Sequence, residues 1–177
     1  MELKAGEILI TREQIAERVA AIGAEISAKY KGQSLVVIGI LRGAVIFMAD
    51  VVRAIDPSVD VSLEFIRASS YASSTVSSGK VTLSQSTTVS VEGKHVLIVE
   101  DIIDTGLTLQ RLCEYYRGQG ALSVEICCLL NKKERRVVDV PVEYSGFIIP
   151  DEFVVGFGMD FDEKMRNLPD IHIARSV

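Results

Sequence analysis

The sequence predicts an α/β fold, a central parallel sheet flanked by helices, and three observations predict it. Almost continuous apolar runs stand at Ser34–Leu41 (SLVVIGIL), Val96–Val99 (VLIV) and Val124–Leu130 (VEICCLL), the pattern of strands buried on both faces of a parallel sheet. Segments of helical period alternate with them, as in α/β domains. The 177 residues, 48% hydrophobic and 24% charged, suit a single domain, 1–177, that buries a core without disulfides or metals. In such sheets ligands bind outside the carboxyl ends of the strands.

Each element has its own justification. Thr11 to Tyr30 reads as an amphipathic helix, with Thr11 as cap and Gln14 at the capping-box spacing. Ile15, Val19, Ile22 and Ile26 then recur at helical intervals. Gly43 follows the first buried run, and a second helical segment extends from Ala44 to Ile55. Val61 to Phe65 alternates as a half-exposed strand. Ala68 to Gly79 (ASSYASSTVSSG) is too polar to pack and reads as a mobile loop, with Val81 to Val91 as its returning arm. After the second buried run a helix extends to Arg117, with Leu109, Leu112 and Tyr116 on one side and Gly118 and Gly120 ending it. From Lys132 the chain is basic, then turn-like around Pro141, then apolar through Phe153–Gly156.

Composition narrows the partners. With 24 acidic against 19 basic residues and a net charge of −5, nucleic acid and anionic membrane are poor default partners. No apolar run approaches the ~20 residues of a membrane span. Cys113, Cys127 and Cys128 show no CxxC spacing and are expected as buried reduced thiols, the last two on opposite faces of a strand. A cytoplasmic location follows from that usage, and residues 1–6 lack the features of an export signal. His95 and His172 have no local partners for a zinc site or a catalytic triad.

The most informative segment is Glu100-Asp101-Ile102-Ile103-Asp104-Thr105-Gly106-Leu107-Thr108. Three carboxylates at the end of a buried strand must reach the surface, a cation or a polyol, because an unpaired buried charge is costly. Thr105 to Thr108 then open a helix with two hydroxyls, a glycine and free N–H groups, the makings of a phosphate cradle. Acids beside such a cradle suit a sugar phosphate. Capping by Asp104 and Thr105 with solvated Glu100 and Asp101 is the plainer alternative, and it leaves the conjunction unexplained. No GxxxxGK[ST] occurs, and Gly156-Phe157-Gly158 lacks the third glycine of a dinucleotide fingerprint.

VLIVEDIIDTGLTL (Val96–Leu109) resembles the phosphoribosyl pyrophosphate signature of type I phosphoribosyltransferases, and its EDIIDTG core resembles their hypoxanthine-guanine branch, in the bacterial form. The resemblance extends over nearly the whole chain. Leu41-Arg42-Gly43 matches the family's pyrophosphate loop, Ser70-Tyr71 the pair in its flexible lid, Lys132 and Phe153–Asp160 its purine-binding segment, and Arg166 its late arginine.

The resemblance implies a role for each residue. Glu100 and Asp101 would hold the ribose hydroxyls and support a Mg2+ ion bound to phosphoribosyl pyrophosphate, with Asp160 near a second metal and the exocyclic position of guanine. Asp104 would be the base that takes the proton from purine N7. Asp104, Thr105, Gly106, Leu107 and Thr108 would wrap the 5′-phosphate; some relatives carry lysine where Leu107 stands. Leu41-Arg42 would be a non-proline cis peptide facing pyrophosphate, with Arg166 adding positive charge there. Lys132 would donate to the 6-oxo group, Phe153 would stack on the purine, and Val154 would meet the base through its backbone. The expected architecture is thus one domain with a lid at about residues 68–80 and a small purine-binding hood from about 132–177 with the N-terminus. Its expected activity is Mg2+-dependent transfer of phosphoribose to hypoxanthine and guanine in purine salvage, by a homodimer or homotetramer. A regulator that senses nucleotide without catalysis is the rival class; retention of Asp104 and Ser70-Tyr71 and the negative net charge count against it.

Overall fold

The computed structural model describes residues 3–67 and 88–176. Strand β1 (Leu3–Ile10) leads into helix α1 (Arg12–Tyr30), and β2 (Ser34–Leu41), α2 (Val45–Ala54) and β3 (Asp60–Arg67) follow. Beyond residue 88 come β4 (His95–Ile103), α3 (Leu107–Gly118), β5 (Ser123–Asn131), β6 (Tyr144–Ile148), β7 (Val154–Val155) and β8 (Ile171–Ser176). The expected capping box starts α1: Gln14 N–H donates to Thr11 Oγ1 at 3.3 Å, and Thr11 N–H donates to Gln14 Oε1 at 2.9 Å. Together they satisfy two of the donors that a helix start leaves open.

Five strands form one parallel sheet in the order β3-β2-β4-β5-β6. Because side chains alternate across a strand, Leu35, Val37, Leu97 and Val99 pack toward Ile15, Ile22, Phe47 and Met48. Val36, Ile38, Val96 and Ile98 pack toward Leu109, Leu112 and Tyr116. The same alternation sends Cys127 into the first layer and Cys128 into the second. All three cysteines are buried and free, as expected.

The order places a topological switch between β2 and β4, where successive connections run in opposite directions and a crevice opens at the carboxyl edge. Pairing of β2 with β4 ends at Gly39–Val99, while β4 continues beside β5 to Ile103–Asn131. The expectation of a strand ending at Val99 is therefore corrected. Glu100 and Asp101 lie within β4, extended by its pairing with β5, and the β2 side of that stretch is left open.

A second, antiparallel sheet has the order β1-β8-β7, with Leu3 opposite Ser176 and Val155 opposite His172. Residues 3–10, 144–148 and 171–176 were not expected as strands. No described helix is long and apolar enough to cross a membrane.

Candidate active site

The site forms where β2 and β4 part. The Leu41-Arg42 peptide at the end of β2 is cis, as the resemblance implied. Next to it, Gly43 lies so close to Asp101 that a Cβ would fall on the carboxylate; no other residue fits without moving that acid. Gly158 (φ +100) brings a distant segment onto the Gly43 carbonyl in the same way.

Burial, and next the adjacent charge of Asp101, push the Glu100 carboxyl well above the usual carboxylate range. Asp101 lines an open cleft of about 610 Å3 beside this strand end, and Glu100 is not among its lining residues. After β4, Asp104 stands half-exposed and accepts a hydrogen bond from Arg135 Nε at 2.6 Å. Gly106 is the N-cap of α3 at φ +83, and its position has no side-chain cap. That left-handed backbone suits glycine, and a Cβ there would press on Arg136 and the Val138 carbonyl. The Thr105 carbonyl accepts from Val137 N–H (3.0 Å) and Val138 N–H (3.2 Å), which fixes the turn from outside. The helix start thus presents backbone N–H groups and the dipole's positive end, suited to an anion.

At the far side of the cleft, Lys132 N–H donates to the Ile103 carbonyl at 3.0 Å, docking the end of β5 against β4. Its ammonium, on a side chain only 12% exposed, pairs with Asp151 at 3.2 Å. Arg135 joins that carboxylate to Asp104, reaching Asp151 Oδ2 at 3.0 Å. Phe153 is 52% exposed at the cleft and is held edge-on by Phe161, with ring centroids 6.0 Å apart. Val154 is buried beneath.

The cleft therefore brings together Asp101, Asp104, Lys132, Phe153, Val154 and Asp160. Arg42 and Arg166 meet on one carboxylate, Glu163, at 2.6 and 3.1 Å. Thr105, Leu107 and Thr108 follow the cleft residue Asp104 into the start of α3 and do not line the cleft themselves. Ser70 and Tyr71, with the lid expected at about residues 68–80, lie outside the described residues. Sequence reasoning missed Arg135, Asp151 and Glu163. Arg135 sat unmarked in a basic run that reads as a solvated face, and the other two carry no local signal.

As to Mg2+, no group of three or more His, Cys, Asp or Glu among the described residues could hold a metal, so Glu100, Asp101 and Asp160 do not make one ligand cluster. Asp160 instead pairs with Arg166 at 2.8 Å. Mg2+ is commonly held by one or two carboxylates, with substrate oxygens and water completing its shell. Asp101, which lines the cleft, fits that donor set, with Glu100 next to it in β4.

A family model described as the phosphoribosyl transferase domain matches residues 7–162. The hypoxanthine-guanine phosphoribosyltransferase of Bacillus subtilis is 43% identical over 169 residues, covering 96% of this chain and 93% of its own. That of Dictyostelium discoideum is 46% identical over 165 residues, covering 92% of each. A crystal structure of a hypoxanthine-guanine phosphoribosyltransferase from Bacillus anthracis superposes with a TM-score of 0.91 at 42% identity, covering 99% of this chain and 100% of that one. Sequence and architecture agree along nearly the full length, and the chain belongs to the phosphoribosyltransferase family, in its hypoxanthine-guanine branch.

Proposed function

We propose that this protein is a purine salvage enzyme that transfers phosphoribose from 5-phosphoribosyl 1-pyrophosphate to hypoxanthine and guanine, giving IMP or GMP and pyrophosphate. One observation carries the reading: two acids at the β4 end, Asp101 and Asp104, and a cationic, aromatic end formed by Lys132 and Phe153 line a single cleft at the carboxyl ends of β4 and β5.

The 5′-phosphate sits on the N–H groups and hydroxyls of Thr105–Thr108, and the ribose hydroxyls face Glu100 and Asp101. The purine lies against Phe153, its 6-oxo group accepting from Lys132; a 6-amino group would oppose donor to donor. Purine N9 bonds to C1′ as the bond to pyrophosphate breaks, and the proton on N7 passes to Asp104, a general base within the cleft. Arg42 and Arg166 meet the departing pyrophosphate. Mg2+, held by Asp101 with substrate oxygens, would supply charge stabilisation of the leaving group. Water is the rival nucleophile, so the reaction requires its exclusion from the cleft. A homodimer or homotetramer in the cytoplasm, with the β1-β8-β7 sheet as a purine hood on a single domain, completes the proposal.

The test is a spectrophotometric assay with phosphoribosyl pyrophosphate, Mg2+ and hypoxanthine, guanine or xanthine. IMP and GMP formation is expected; no nucleotide from any of the three bases would refute the reading.

A further inference from the structure

The segment after Asp160 has an unusual backbone. Asp162, Glu163 and Met165 all stand at positive φ (51°, 60° and 70°) without being glycine, a combination uncommon in proteins. Hydrogen bonds hold this turn. Glu163 N–H donates to Asp160 Oδ2 at 2.9 Å, and Gly158 N–H donates to the Arg166 carbonyl at 2.9 Å. Arg166 Nη1 donates in turn to the Gly158 carbonyl at 2.7 Å. The result delivers one oxygen, Glu163 Oε2, to both guanidiniums, Arg42 at 2.6 Å and Arg166 at 3.1 Å. A carboxylate oxygen paired with two arginines from separate loops supplies the charge that a terminal phosphate oxygen would bring there.

We infer that Glu163 is an internal competitor for the pyrophosphate subsite: it occupies the two arginines as a pyrophosphate oxygen would, and binding of pyrophosphate must displace it. This rests on the reading of Arg42 and Arg166 as pyrophosphate ligands. Glu163 thereby sets how tightly pyrophosphate is held and how readily it leaves. Asp162 supplies the control. It is the adjacent acid and equally charged, but its only ion pair among the described residues is with Lys164, at 4.0 Å.

The experiment is calorimetric titration of the intact protein with magnesium pyrophosphate. Glu163→Gln is expected to lower Kd about three- to ten-fold, the range for release of charge-assisted pairs at a partly exposed site, while Asp162→Asn changes it less than two-fold. An unchanged Kd in Glu163→Gln, an equal change in both variants, or no binding of pyrophosphate by the wild-type protein would each overturn the inference. Binding is read independently of turnover. Failure to form nucleotide alongside the expected Kd pattern would therefore refute the proposed activity and leave the competitor role standing.

Discussion

Replacing Lys132 by methionine separates recognition of the 6-oxo group from everything else the cleft does. The ammonium is mostly buried and its partner is Asp151. Removing one member of such a pair ordinarily leaves a costly orphan charge. Here Asp151 also holds Arg135 at 3.0 Å, so the carboxylate stays paired, and Tm is expected to fall by less than about 4 °C. Catalysis is a different matter. A hydrogen bond from a charged donor to the base is worth about 1.5–3 kcal/mol, which corresponds to a loss of about 10- to 150-fold in kcat/KM for hypoxanthine. Unsubstituted purine has no 6-oxo acceptor and loses none of this. The assay is initial-rate kinetics with both bases at saturating phosphoribosyl pyrophosphate, on wild type and Lys132→Met. Equal losses for the two bases would refute the reasoning, because a contact to the 6-oxo group cannot matter to a base that lacks one.

Three further outcomes are expected. Asp104→Asn keeps the shape of the site and removes the proton acceptor, so kcat falls about 10²- to 10⁴-fold; unchanged turnover would remove Asp104 from that role. Gly43→Ala drives a methyl group into the Asp101 carboxylate and should cost about 10²-fold in turnover through misplacement, a loss that activity within two-fold of wild type would exclude. The third outcome concerns stability. Glu125 is buried and accepts from Tyr30 Oη (2.6 Å), Tyr144 Oη (3.1 Å) and the Lys29 ammonium. Burial alone would raise its pKa, but the hydrogen bonds from Lys29 and Tyr30 and their company hold it below the usual carboxylate value. A depressed pKa contributes stability that is present above the unfolded value, about 4.3, and is lost as pH falls through the folded one. Glu125→Gln should therefore lower Tm at pH 7 by roughly 4–8 °C, from about 2 kcal/mol of charge-assisted bonding. In thermal melts between pH 7 and 3 that gap should narrow progressively once the pH falls below the unfolded value, and a constant gap would contradict the assignment.

The parts of the molecule legible in the sequence are those set by local periodicity. The runs at residues 34–41, 96–99 and 124–130 are strands because their side chains are apolar on both faces, and the Thr11–Gln14 box starts a helix where it should. The acid run was legible because the residues from Glu100 to Thr108 are contiguous. What escaped depends on distance along the chain. β1 is a strand through its register with β8, more than 160 residues away, and its own pattern of exposure is irregular. β4 extends past Val99 because β5 pairs with it there, which no inspection of charged residues 100 and 101 would reveal. The ion pairs that organise the cleft are long-range as well. Arg135 reaches back to Asp104, and Glu163 reaches back to Arg42.

Cys127 and Cys128 are consecutive and completely buried, yet they belong to different layers of the molecule. A thiol reagent reaches either one only when its own layer opens, since burial pushes both thiols up and keeps them unreactive. The labelling rate of Cys127 therefore reports the loosening of α1 and α2 from the sheet, and that of Cys128 the loosening of α3. Where the two rates agree, the protein opens as one unit; where they differ, the slower one marks the layer that survives longest. Two consecutive thiols on one strand thus act as separate clocks for the two layers of the molecule.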